Sequence, residues 1–150
     1  MKSCAAPRLS ANVSRTNQKM DELILKYRRK LDELLAAPKL SFGSTLRRAL
    51  PDDAGIYRIF RRQSDWRSSV YVGQSSSLRR RLCDDHLAGN RSSSTLKRKL
   101  INAGLFSNEA SVQRFLTSDC VVQTLLVPDK VERGFIEHFA IAMLRPEHND

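Results

Sequence analysis

The 150-residue chain is 41% hydrophobic and carries a formal charge of +10 at pH 7, long enough to bury one core and too short for two comfortable domains. It contains no run of roughly eighteen apolar residues and no apolar signal core at its N-terminus, which speaks against membrane insertion and secretion and makes cytoplasmic residence the default expectation. Cys4, Cys83 and Cys120 are odd in number and widely spaced, so three reduced thiols are expected rather than a disulfide framework or a zinc site.

The charge is unevenly placed. Residues 1–46 carry nine Lys/Arg against four acids, residues 47–99 thirteen against five, and residues 100–150 four against seven. The excess in the first two thirds suits a polyanionic backbone, although a soluble Arg-rich surface, an acidic protein or anionic lipid would also satisfy it.

Taken in chain order, residues 1–16 are polar, small and aperiodic, so a flexible leader is expected. Over residues 17–38, Met20, Leu23, Ile24, Tyr27, Leu31, Leu34 and Leu35 recur at three and four and Pro38 stops the pattern, which predicts an amphipathic helix. Its opposite face bears Lys26, Arg29, Lys30 and Glu33, a solvated face or a contact surface for DNA or a partner. Residues 40–150 read as one α/β unit. Ser44 to Leu50 predicts a short helix before the turn at Pro51-Asp52-Asp53. Ile56 to Phe60 and Val70 to Val72 predict a hairpin whose polar connection, 61–69, exceeds the favoured two-residue turn.

A helix follows on Leu78, Leu82 and Leu87, capped by a serine hydroxyl and ended at Gly89-Asn90. Arg79, Arg80 and Arg81 fall on successive 100° steps, so at least one projects from its edge. Thr95 to Ala103 predicts another short basic helix, closed by Gly104. Residues 107–117 are ambiguous between states. Val121 to Val127 predicts a strand, and Asp129 with Glu132 matches a capping box for a last helix through Ile136, Phe139, Ala140, Met143 and Leu144, stopping near Pro146.

The segment that carries chemistry is Gly55-Ile56-Tyr57 with Tyr71-Val72-Gly73, followed at once by Arg79-Arg80-Arg81. Cationic neighbours favour phenolate and can bring a tyrosine toward use as a base. Each tyrosine alone also reads as an ordinary aromatic residue of a hairpin. Arg81 offers a planar donor fork to a phosphate oxygen. Glu137 is the candidate metal ligand, because an unpaired carboxylate within an apolar helix is costly; pairing with Arg133 one turn earlier is its plainer explanation. A single carboxylate can hold Mg²⁺ with waters and substrate phosphates supplying the other oxygens. His86 follows the arginines and could move a proton or touch phosphate. Asn149 could tie the chain end to the site or cap the last turn. Arg58, Arg79, Arg80, Arg91, Lys97 and Arg98 are the candidates for nucleic acid contact.

These elements resemble the GIY-YIG nuclease superfamily, small α/β modules that cleave nucleic acid phosphodiesters. Gly55-Ile56-Tyr57 and Tyr71-Val72-Gly73 stand for its two tyrosine motifs, Arg81 for its helix arginine, Glu137 for its metal-binding glutamate and Asn149 for its terminal asparagine, over roughly residues 52–149. The interval between the tyrosine motifs is somewhat long, implying an enlarged hairpin loop that could alter groove contacts. The histidine sometimes found after the family arginine lies here at His86 in a slightly shifted register.

The resemblance implies a small antiparallel sheet flanked by helices, with an added N-terminal helix, and a DNA endonuclease using one Mg²⁺, with Mn²⁺ as a substitute. It further implies that Tyr57 or its hydrogen-bonded neighbour activates water while Tyr71 orients the network, roles the two tyrosines could exchange. Arg81 would neutralise the phosphate, Glu137 would hold the metal, and Gly55, Gly73 and Asn149 would support the site. Products would carry a 5′-phosphate and a 3′-hydroxyl. DNA could be single-stranded, branched or duplex, and a homodimer would suit a duplex cutter although no heptad seam establishes one. The alternatives are a non-catalytic nucleic acid binding module on the same scaffold and a basic adaptor for an acidic protein.

Overall fold

The computed structural model describes residues 7–63 and 68–149, with backbone alone for residues 7–10. The elements run α1 (Pro7–Ala36), β1 (Leu40–Ser41), α2 (Leu46–Ala49), β2 (Gly55–Arg61), β3 (Ser69–Ser75), α3 (Arg80–Leu87), α4 (Thr95–Asn102), α5 (Glu109–Asp119), β4 (Cys120–Leu126) and α6 (Lys130–Leu144). The four strands pair antiparallel in the order β1-β4-β2-β3. The result is a small α/β fold, an antiparallel sheet flanked by helices.

Alternation along β2 explains the layering, because successive side chains point to opposite faces. Ile56 joins Leu34, Val127 and Ile136 under α1 and α6, beside a second cluster of Leu31, Val72, Ala140 and Leu144. Tyr57 and Ile59 turn the other way, onto Leu46, Leu50, Leu82, Leu100 and Leu116 of α2 to α5. Both faces are covered, so β2 is buried up to Phe60. Each fully buried leucine stabilises the fold by about 1.5–3 kcal/mol.

Several expectations change on contact with this structure. Helix α1 begins at Pro7, so residues 7–16, expected within a flexible leader, are helical; proline is tolerated in a first turn because its missing N–H would have no partner there. Residues 1–6 lie outside the described residues. The apolar stripe of α1 packs only from Tyr27 onward, with Leu31 and Leu34 buried while Met20, Leu23 and Ile24 stay about half exposed. Residues 109–119 resolve as α5, opened by a reciprocal pair in which Asn108 accepts from the Ser111 N–H and Ser111 Oγ accepts from the Asn108 N–H. Only one arm of the expected capping box of α6 forms. Asp129 accepts from the Glu132 N–H at 2.8 Å, whereas the Glu132 carboxylate pairs with Lys26 of α1 at 2.8 Å.

Helix α3 is wound more loosely than an α-helix. The Arg81 N–H still bonds four residues back, to the Ser77 carbonyl, but the Ala88 N–H reaches five back, to Cys83, the π-type bonding that admits an extra residue per turn. Ser77 Oγ accepts from the Arg80 N–H at 3.2 Å and supplies the expected serine cap. Gly104, at φ 75°, closes α4 in the left-handed region.

β3 is the outer strand of the sheet, and the chain end covers it. The Glu147 N–H donates to the Ser69 carbonyl at 3.0 Å and the His148 N–H to Val70 at 3.1 Å, satisfying groups that would otherwise form an open edge. The middle of the long β2–β3 connection, residues 64–67, lies outside the described residues, and with it the expected effect on groove contacts. Among the described residues no helix is long and apolar enough to cross a membrane. Cys83 and Cys120 are free and buried, and Cys4 lies outside the described residues.

Candidate functional site

Tyr57 and Gly73 are cross-strand partners on β2 and β3. A Cβ at position 73 would lie 2.4 Å from Tyr57 Oη and 3.0 Å from Tyr71 Cε1, so glycine is needed for the phenol to cross β3 toward the sheet edge. Gly55 serves packing instead: a Cβ there would sit 2.3 Å from the Leu125 carbonyl oxygen on β4. Both motif glycines therefore support the site without entering its chemistry.

Tyr57, Tyr71 and His86 form one ring cluster, with centroids 6.2 Å apart between the tyrosines and 5.5 and 5.8 Å from each to the imidazole. Tyr57 Oη lies 2.6 Å from His86 Nε2, and His86 Nδ1 lies 2.7 Å from Ser94 Oγ. Ser94 is also the N-cap of α4 and accepts from the Lys97 N–H at 3.1 Å. Burial, aided by the positive charges of Arg81 and Lys97, pushes the His86 pKa down to about 3, so the ring is neutral at physiological pH. Burial also lifts the Tyr57 phenol well above its usual range. Tyr71 is only partly buried; its pKa is raised by burial and by Glu137, and opposed by Arg81 and Arg98.

Arg81 leaves the loose turn of α3 and pairs with Asp85 at 3.1 Å, with the Ser93 carbonyl 3.3 Å from the same Nη1. The shifted register of the histidine finds its physical reason here. In a helix that bonds five residues back, Arg81 and His86 are neighbours one turn apart, and the imidazole reaches Tyr57 from that position.

Glu137 projects from α6 and accepts a hydrogen bond at 2.6 Å from Gln74 Nε2 on β3. Burial raises its pKa, and the Gln74 bond and the charges of His138 and Arg133 lower it. The anticipated ion pair with Arg133 does not form. Arg133 is buried, donates from Nε to Gln74 Oε1 at 3.1 Å, and spends Nη1 on the Val127 and Pro128 carbonyls. Asn149 holds the chain end to the second tyrosine motif: its Oδ1 accepts from the Val72 N–H and its Nδ2 donates to the Val72 carbonyl, each at 2.6 Å. It is a tie, not a cap on the last turn.

The candidates for nucleic acid contact divide. Arg58 is 3% exposed; it donates to Ser69 Oγ and Gln123 Oε1 and lies over the Phe60 ring. Lys97 is 1% exposed and donates to the Leu87 and Gly89 carbonyls, closing the end of α3. Arg79 donates to the Arg47 and Leu50 carbonyls behind α2. These three bond inward, Arg58 to side-chain oxygens of the neighbouring strands and Lys97 and Arg79 to carbonyls left without donors at helix ends. Arg91 is exposed and pairs with Glu109 at 3.1 Å. Arg80 and Arg98 are exposed, and the charge of Arg98 acts on Tyr71.

Three participants escaped the sequence reading. Asp85 stands four residues after Arg81, a spacing at which helix ion pairs form. Ser94 stands before the apolar positions of α4, the place of an N-cap. Gln74 carries no local signal, since its partners come from α6.

Among the described residues, no group of three or more His, Cys, Asp or Glu could hold a metal ion. No protein-family model matches the chain, and neither a curated protein nor a solved structure matches it.

Proposed function

We propose that the chain is a GIY-YIG-type, metal-dependent endonuclease that hydrolyses DNA phosphodiesters. The observation that carries this reading is the cluster at β3: two phenols, a neutral imidazole bonded to one of them, and the charges of Arg81 and Glu137 acting on both phenols. Glu137 suits a single Mg²⁺ because Gln74 occupies Oε2 and leaves Oε1 without a partner among the described residues. A lone carboxylate is enough for an ion that retains waters and takes substrate phosphates as its other ligands. Bound there, the ion would stabilise charge developing on the leaving oxygen.

Hydrogen bonds fix the imidazole within the cluster. The neutral imidazole bridges two hydroxyls, Ser94 Oγ at Nδ1 and Tyr57 Oη at Nε2, with one ring nitrogen donating and the other accepting. Held in this way and kept neutral by burial, His86 orients Tyr57. In the tautomer protonated at Nε2, the Tyr57 hydroxyl is free to donate to the nucleophile or to phosphate. Tyr71 is the better-placed base of the two: burial and Glu137 raise its pKa, but it is more accessible than Tyr57, and Arg81 and Arg98 both act toward its phenolate. This exchanges the tyrosine roles first expected.

In the reaction, a water oxygen bonds to phosphorus as its proton passes to the Tyr71 phenolate. The bond from phosphorus to the 3′ oxygen breaks, that oxygen takes a proton from solvent water, and a 5′-phosphate with a 3′-hydroxyl results. Arg81, held by Asp85 through Nη1, can offer its other donors to a nonbridging oxygen.

Labelled single-stranded, duplex and branched DNA, each with Mg²⁺ or chelator, test the reading. Wild type is expected to cut at least one of them only with metal. Glu137→Ala is expected to bind that DNA within about threefold of wild type while losing roughly 10³-fold in cleavage. Binding without cutting by wild type on every substrate would instead identify a non-catalytic module.

A further inference from the structure

Gln74 stands between a buried arginine and the candidate metal ligand. A guanidinium can only donate, so the Arg133 Nε–H at 3.1 Å fixes the amide oxygen of Gln74 on its side. The amide nitrogen is thereby forced toward Glu137, where it donates to Oε2 at 2.6 Å. Arg133 itself cannot swing, because Nη1 is held by the Val127 and Pro128 carbonyls where β4 leads into α6. The chain of constraint runs from main chain to guanidinium, to amide, to carboxylate. A carboxylate left to itself on a long side chain would sample several rotamers, and each lost rotamer raises the fraction of time spent in the binding geometry.

We infer that Gln74 is the positioning residue for Glu137: its amide, oriented by Arg133, engages Oε2 and presents Oε1 to a divalent cation. The inference deepens the nuclease reading and rests on it. Partners of this kind behind a metal ligand are worth roughly 10–100-fold in metal affinity.

The test uses the full chain with the DNA that wild type cuts, and two variants, Gln74→Met, which keeps length but no donor, and Gln74→Asn, which keeps an amide too short to bridge. Free Mn²⁺ is counted by electron paramagnetic resonance, and cleavage is followed in parallel across Mg²⁺ concentrations. Both variants are expected to need about tenfold more metal for half-saturation by either readout, with cleavage at saturating metal within about threefold of wild type. Cleavage depressed equally at every metal concentration, or unchanged metal affinity, would overturn the inference while leaving the nuclease reading in place. If wild type neither takes up Mn²⁺ nor cuts, that reading fails and the inference falls with it. If Gln74→Met does not fold, Gln74→Asn decides by the same criteria.

Discussion

Two arginine–glutamine relays lie on the face of the sheet covered by α1 and α6, and they differ in where they end. In one, Arg58 donates to Gln123 Oε1 and the glutamine passes its amide hydrogens to the Leu35 and Ala37 carbonyls at the end of α1. In the other, Arg133 donates to Gln74 Oε1 and the glutamine donates to Glu137. The first closes on part-buried carbonyls at the end of α1, which have no further helix turn to supply donors, so its product is stability. The second stops at a half-buried carboxylate with an oxygen to spare, and a group left open in that way is available for binding.

The comparison breaks most visibly at its closed member. Arg58→Met should leave Ser69 Oγ and Gln123 Oε1 without their donor and remove the stacking over Phe60, at a cost of about 2–4 kcal/mol. A thermal melt should show the midpoint lowered by roughly 5–15 °C, with cleavage per folded molecule unchanged. Lost cleavage with an unmoved midpoint would mean that Arg58 serves the substrate after all.

Arg133→Met sharpens the contrast, because this arginine anchors the open relay and also holds the β4–α6 carbonyls. It should lower stability by about 2 kcal/mol and, by freeing the Gln74 amide to flip, raise the metal requirement by about tenfold. The two effects separate in a urea titration run beside a Mg²⁺ titration of cleavage. A stability loss with an unaltered metal requirement would show that the relay does not reach Glu137.

The sequence made part of this visible. Strands β2, β3 and β4 were legible from β-branched and aromatic runs bounded by turn residues, and the start of α6 from Asp129, because these signals are local. The gathering of Tyr57, Tyr71, His86 and the Glu137 charge was legible only through motif order. Arg58, Arg79 and Lys97 misled because a charge in sequence reads as surface, and whether it finds buried acceptors is decided by elements far along the chain. Gln74 was silent for the same reason. The two-residue strand β1 lies below any periodic signal, and the loose winding of α3 has none, yet that winding puts His86 beside Tyr57.

A third relay, Ser94–His86–Tyr57, has the same form as the other two but a titratable middle. Glutamine cannot change its charge, whereas a buried histidine can be forced to. The folded pKa of His86 is about 3 and the unfolded one about 6.5, so between these values the unfolded chain binds the extra proton. The stability that His86 contributes is therefore full above pH 6.5 and is lost as the pH falls toward 3, by up to about 1.4 kcal/mol per unit. His86→Gln would turn this relay into one of the glutamine type. Unfolding free energies from urea titrations between pH 4.5 and 6.5 should then rise less steeply with pH than those of wild type by up to about 1.4 kcal/mol per unit, with the two curves parallel above pH 7. Equal slopes would place the proton uptake elsewhere and remove the reason for regarding His86 as held neutral against Tyr57.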